Sequence, residues 1–201
     1  MTTPATPFIA APWYSPAAVR SVLVEGPTEE PLTLDEAKQR AGLDWLAGDP
    51  RDAMLADWIK AARAQVEHDT GLALLTQTRD IYFGPAIGPV VPLPSQAQPV
   101  QSLVPIEAAP AGAVLPCSPW TAGVQQAAYV SGATAVRVIA GWPNPAALRA
   151  EAPTLFHAVA LLVAHYATNG RDLIGDTVGQ RALMPLGYAD AIAPYQLVWV
   201  I

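Results

Sequence analysis

Eleven of the chain's 21 prolines lie between positions 81 and 148, and within that span only Glu107 and Arg137 carry a charge. Proline removes a backbone donor and clashes with the preceding helical turn, so no long helix can run through such a region. In sheets it is confined to edges, strand starts and bulges. The segment therefore reads as short strands joined by irregular loops, with helices pushed to either side. It has little charge to keep it in solution, so some of its faces are expected to be covered by neighbouring subunits. An alanine- and proline-biased composition filling ordinary loops is the plainer reading of the same residues.

Composition narrows the class. Of the 201 residues, 52% are apolar and 14% charged, with a formal net charge of −6 and a mean hydropathy of +0.26. A disordered acidic chain needs more charge and less apolar content. Binding nucleic acid by neutralising phosphates needs a clustered basic surface, for which the sequence has no material. A single cysteine, Cys117, excludes an internal disulfide framework and any multi-cysteine zinc site. The longest apolar stretch, 155–167, is interrupted by His157 and His165 and is short of a bilayer span. The first seven residues lack the basic start and apolar run of a leader, so none is expected. A weakly charged chain with more apolar surface than a lone domain of this size needs reads as a subunit of an assembly.

Helix signals flank the neutral stretch. Eleven of the 17 carboxylates lie between positions 25 and 69. There Thr33-Leu34-Asp35-Glu36 forms a capping box, the hydroxyl accepting from the Glu36 backbone while Glu36 reaches back. The helix it starts spans about 33–42 and stops at Gly42. Asp49-Pro50 starts a second helix, about 50–70, with Asp49 as cap, Pro50 at the first helical position and Asp52 favoured by the dipole. Leu55, Trp58, Ile59, Ala62 and Val66 recur at three- and four-residue spacing and form one apolar stripe. Asp57, Lys60, Arg63 and Glu67 take the other faces, and Gly71 is the stop. A third helix, about 153–168, carries Leu155, Phe156, Val159, Leu161, Leu162, Val163 and Tyr166 and is apolar nearly all round, which marks a buried helix. Asn169-Gly170 ends it, and a short last helix, about 188–193, ends at Pro194. The second and third helices are expected to form the core through Leu55, Trp58, Ile59, Val66, Phe156, Val159, Leu162, Val163 and Tyr166. Trp58→Ala would then cost about 3–5 kcal/mol if that side chain is fully buried.

Strand propensity marks 74–83, more weakly 100–106, 113–116 and 126–130, and more clearly 135–140, where Val136, Val138 and Ala140 alternate with Arg137 and Ile139. The run 141–145, Gly-Trp-Pro-Asn-Pro, reads as a break, and 171–187 as a Gly-rich loop. Prolines 4, 7, 12, 16 and 27 make residues 1–30 an extended arm, in which Trp13 and Tyr14 are costly to leave in water and so dock on this chain or a neighbour. At the other end Tyr195, Gln196, Leu197, Val198, Trp199, Val200 and Ile201 are uncharged and β-prone, an edge hazard unless a partner covers them. The predicted fold class is α+β: a small helical bundle of three to four helices, a β-rich insertion at about 74–140 between the second and third, an N-terminal arm at 1–30 and a C-terminal tail at 196–201.

The search for chemistry is negative. There is no Gly-rich phosphate loop, His-Glu-x-x-His, Cys-x-x-Cys or Gly-x-Ser-x-Gly. His157 and His165, eight residues apart, do not chelate one metal unaided, and Asp172 and Asp176 would have to fold back to join them. His68 near a helix C-terminus suits the dipole better than a general base. Cys117 has no nearby base and reads as an inert thiol. Paired acids such as Glu29 with Glu30, or Asp35 with Glu36, are explained by solubility and capping. No catalytic, cofactor-binding or metal-ligating residue is predicted. A hydrolase using Asp172, Asp176 and His165, or a cytoplasmic protein-binding module, remains as an alternative class.

Several ordered blocks carry a resemblance. Residues 31–37 (PLTLDEA), 52–71 (DAMLADWIKAARAQVEHDTG) and 74–78 (LLTQT), then 136–141 (VRVIAG), 160–166 (ALLVAHY) and 185–195 (PLGYADAIAPY), resemble the head–tail connector, or adaptor, family of long-tailed bacteriophages, over about 31–195. Phage-derived gene transfer agents carry similar connectors. The resemblance implies a ring, usually of twelve copies, beneath the portal, bridging it to tail-side connector or stopper proteins and lining the DNA channel without binding DNA specifically. It implies no enzyme, no cofactor and no membrane, with the protein in the host cytoplasm before assembly and in the particle neck afterwards. On that reading the tail residues Tyr195, Leu197, Val198, Trp199, Val200 and Ile201 dock on the portal. Residues 1–30 and those after Tyr195 lie outside the shared blocks.

Overall fold

The computed structural model describes residues 19–83, 90–106, 114–115, 126–130, 135–169, 185 and 187–196. Along the chain these form β1 (Val19–Glu25), α1 (Leu34–Ala41), α2 (Arg51–Thr70), β2 (Gln77–Phe83), β3 (Val90–Pro92), β4 (Val100–Pro105), β5 (Val114–Leu115), β6 (Ala127–Val130) and β7 (Ala135–Ala140). They continue with α3 (Pro145–Glu151), α4 (Pro153–Asn169) and α5 (Tyr188–Ile192), which runs into a 3-10 turn, Ala193–Tyr195. The fold is mixed α+β, with five helices and a four-stranded antiparallel sheet among the described residues.

Local chemistry sets the helix ends. The Thr33 hydroxyl accepts from the Glu36 backbone at 3.2 Å while the Glu36 carboxylate accepts from the Thr33 backbone at 3.0 Å, closing the capping box of α1. Gly42 ends α1 at φ 65°, and Gly71 ends α2 at φ 74°, left-handed positions that glycine takes without steric cost. At the start of α2, Pro50 is already helical and the Asp49 carboxylate accepts from the Arg51 backbone at 2.8 Å. Helix α4 occupies the middle of the helical layer, with α1, α2, α3 and α5 packed on it. Leu55, Ile59, Ala62 and Val66 of α2 and Leu155, Phe156, Val159, Leu162 and Val163 of α4 are buried in one cluster. Each fully buried aliphatic side chain of this kind contributes about 1.5–3 kcal/mol. Trp58 and Tyr166 are only partly buried and pack against the margin of that cluster.

Three sequence readings need correction. Residues 141–145 were expected to break the chain before a helix at 153, yet Asn144 accepts from the Ala147 backbone at 2.9 Å and Pro145 opens α3. An Asn cap followed by proline is a helix start, and α3 then turns into α4 through a bend of 115°. Residues 19–25, read as part of the arm, form the edge strand β1, paired with β2 from Val19–Phe83 to Leu23–Arg79 and, after an irregularity, Glu25–Thr78. Glu67, assigned to an outer face of α2, is 4% exposed.

The larger sheet has the order β1-β2-β7-β4, and the smaller the order β3-β6-β5. The apolar residues of one face, Ile81, Val136, Val138 and Ala140, pack with Ala73, Leu93 and Ala97 into a second cluster, flanked by Val19, Phe83, Val100 and Leu103. The two clusters meet where Leu75 bridges Trp142 in parallel. Gly141, at φ 101°, sits beside that bridge, and a Cβ there would lie 2.2 Å from the Leu75 carbonyl oxygen. Trp13, Tyr14, Cys117, Asp172, Asp176 and residues 197–201 lie outside the described residues.

Candidate interaction surfaces

Two charged residues of α2, half-buried Arg63 and buried Glu67, tie the helices to the segment leading into the sheet. Arg63 donates to Glu30 at 2.8 Å and to Glu67 at 2.9 Å, the second contact being one turn along α2. The other Glu67 oxygen accepts from the Leu74 backbone at 2.9 Å. Burial pushes the Glu67 carboxyl above its ordinary pKa, against the pull of Arg63 and the Leu74 amide. Burial works against the Arg63 charge as well, but Glu30 and Glu67 outweigh it and hold the guanidinium more firmly protonated. This triad orients α2 against the turn after it. With every hydrogen-bonding oxygen of Glu67 engaged, it is a structural brace.

A second brace lies at the start of α2. Lys38 pairs with Asp52 at 2.8 Å, and Asp52 also accepts from the Trp45 indole at 2.8 Å and the Gly48 backbone at 2.9 Å. Lys38 lowers the Asp52 pKa most, with Trp45 adding to it. At the far side Tyr188 donates to Asp69 at 2.7 Å, joining α5 to the end of α2. Burial and then the Asp69 carboxylate push the Tyr188 phenol well above its usual range.

The larger sheet offers the most open surface. Register places Arg20, Tyr82 and Ala135 in one row and Val22, Asp80, Arg137 and Val104 in the next, all on the face opposite the second apolar cluster. Ile106, whose amide donates to the Ala135 carbonyl at 3.1 Å, extends the first row. Tyr82 is 41% exposed, Val104 54% and Ile106 37%. Between them Arg137 grips Asp80 through two bonds of 2.7 and 2.8 Å, and this pairing lowers the Asp80 pKa. The face combines exposed apolar side chains with a matched Asp80–Arg137 pair and the exposed Arg20, while Ala135 and Asp80 within it are buried.

Other candidates have ordinary settings. His68 and His157 are exposed, and His165 stacks at a tilt on Tyr166. Among the described residues no three His, Cys, Asp or Glu side chains converge to hold a metal ion. No single described helix is long and apolar enough to cross a membrane. Glu36 closes the α1 cap and pairs with Arg149 at 2.5 Å. Tyr195, named with the tail, is buried in the helical cluster, while 197–201 lie outside the described residues. The triad of Glu30, Arg63 and Glu67 escaped the sequence reading because Glu30 and Arg63 are 33 residues apart. The one available signal was the Arg63–Glu67 spacing of four on a helix.

No family model matches the sequence, and no curated protein matches it in sequence. Solved structures share its fold. A chain from the neck of an empty gene transfer agent (GTA) particle, computed with C6 symmetry, is 22% identical with a TM-score of 0.66. One from the neck of the native GTA particle, computed with C12 symmetry, is 24% identical with a TM-score of 0.58. A third, from the virion of the native particle, is 20% identical with a TM-score of 0.52. Each alignment covers 90% of this chain and 97% of the other.

Proposed function

We propose that this chain is a structural head-to-tail connector of a phage-like particle, a gene transfer agent. It forms a ring of twelve copies in the neck, between the portal and tail-side connector or stopper proteins, and lines the DNA channel. Before assembly it resides in the host cytoplasm. The observation that carries this reading is the end-to-end fold shared with GTA neck chains, 90% of this chain against 97% of theirs. Its role is scaffolding, with no reaction assigned to it.

Charge supports the same reading. A conduit that neutralised phosphates would release counterions and hold its cargo. Net charge here is −6, and of the two lysines Lys38 is already committed to Asp52. A cyclic ring needs two unlike, complementary faces per subunit, and the neutral stretch 81–148 supplies uncharged surface for them. The segment after Tyr195, with Trp199 as anchor, docks on the portal by adding a strand to an exposed sheet edge. Tyr195, fixed in the helical cluster, holds the base of that tail. Deleting 197–201 should then weaken portal binding and leave the fold intact.

Electron microscopy of particles made without this protein tests the proposal. Heads without attached tails are expected, and normally tailed particles would overturn it.

A further inference from the structure

The open face of the larger sheet has a cover within reach in its own chain. Strand β1 is an edge of that sheet and begins at Val19, beside the row that holds Tyr82 and Ile106. Eighteen residues precede it, none with a charged side chain, and they include Phe8, Ile9, Trp13 and Tyr14. Tyr14 is five residues from Val19, a length that includes Pro16, which favours extended backbone. At about 3.2 Å per residue those five span roughly 16 Å. Three strand spacings of about 4.8 Å make the sheet roughly 14 Å wide from β1 to β4. The aromatic pair can therefore reach Ile106 and Val104 on the opposite edge.

We propose that the N-terminal segment of the same chain folds back across this face and seats Trp13 and Tyr14 on Tyr82, Val104 and Ile106. Tyr82, Val104 and Ile106 give the surface its exposed apolar area, the Asp80–Arg137 pair is matched internally, and the uncharged segment brings no like charge to Arg20 beside Tyr82. Trp and Tyr each bury about 150–250 Å² when docked. A short tether places them at an effective concentration in the millimolar range, so a weak contact suffices and a second copy competes poorly. The inference stands apart from the neck reading, because it concerns the free subunit.

Nitration of Tyr82 by tetranitromethane, followed by peptide mass spectrometry over a protein dilution series, tests it on the full chain. In the native chain Tyr82 should react slowly at every protein concentration. The Trp13→Ala/Tyr14→Ala double variant should raise that rate by roughly tenfold, the ratio a docking free energy near 1.4 kcal/mol sets. Buried Tyr188 should stay unreactive in both, and Trp13→Phe/Tyr14→Phe should restore protection. Equal Tyr82 rates in native and double variant would overturn the proposal. So would protection that fades on dilution, since it would assign the cover to another copy. If the double variant exposes Tyr188, Ser15→Cys with Ile106→Cys in a Cys117→Ser background decides instead. A disulfide within one chain supports the cover, and a disulfide between chains, or none, rules it out.

Discussion

The helical layer and the sheet are built on opposite terms. In the helices, the ends are set locally, the Glu36 and Asp49 carboxylates satisfying helix starts, and α4 is enclosed by four other helices. Ion pairs such as Glu36–Arg149 and Glu30–Arg63 tie distant parts of the layer together. In the sheet, pairing joins residues far apart in sequence. The Asp80–Arg137 bond spans 57 positions, and among the described residues one face carries the second apolar cluster. Local signals set the ends of the helices around an enclosed core, whereas the sheet, built by distant pairing, leaves Tyr82, Val104 and Ile106 exposed on one face.

The strongest test strikes the seam between the two regions. Gly141→Ala combines a positive φ with a Cβ 2.2 Å from the Leu75 carbonyl oxygen and 2.4 Å from its carbon, and rigid backbone cannot give way as a side chain can. A loss of more than about 3 kcal/mol is expected, seen as failure to accumulate folded protein. If circular dichroism and thermal melting match the native chain, the seam is softer than its geometry implies.

Next come paired truncations. Leu162→Ala in α4, fully buried, should cost about 2–5 kcal/mol by urea denaturation. Ile81→Val in the sheet, equally buried, should cost only about 0.5–1.5 kcal/mol. Because Leu→Ala removes three carbons and Ile→Val one, equal losses would mean that the sheet core is the less tolerant of lost volume.

This contrast also explains what the sequence revealed. Both caps of α1, the stops at Gly42 and Gly71 and the apolar α4 follow from neighbours within four residues, so they were legible. The strands at 100–105 and 135–140 were legible from β-branched content, but β1 was hidden behind five prolines that argued for an arm. Helix α3 is hidden because Pro143 and Pro145 read as breakers, whereas Asn144 caps the helix that Pro145 opens. The Glu30–Arg63–Glu67 triad and the open face could not be read locally, because each joins residues that only the fold brings together. Trp58 matched the helical stripe, but the stripe runs to the rim of the core, and its partial burial follows.

Thr33→Ala removes the α1 cap and should cost about 1 kcal/mol, within a range of 0.5–2. Glu36 would lose its hydroxyl partner but keep Arg149. A denaturation midpoint unchanged from the native chain would show that the residue-33 backbone amide and Arg149 suffice to hold Glu36 at the start of α1.

The smallest expected effect is the response of the start of α2 to acid. Arg51 donates to the Asp49 carboxylate through its side chain and backbone and holds its pKa at about 2. An unfolded Asp titrates near 3.9, so its folded value is depressed. Its contribution is complete above about pH 4 and is lost as pH falls towards 2. Asp52, lowered by Lys38 and then Trp45, has the same sign. Glu67 has the opposite sign: burial raises its folded pKa, so its ionisation weakens the fold as pH rises through that value. In the sheet, Asp80, lowered by Arg137, has the same sign as Asp49 and Asp52, so acid acts on both layers. Asp49→Asn should therefore flatten the decline of the denaturation midpoint between pH 4 and 2. Carboxyl resonances in the native chain should place the Asp49 transition near 2. A transition near 3.9 would mean that Arg51 does not hold the cap in solution, and the start of α2 would lose its clearest local charge contact.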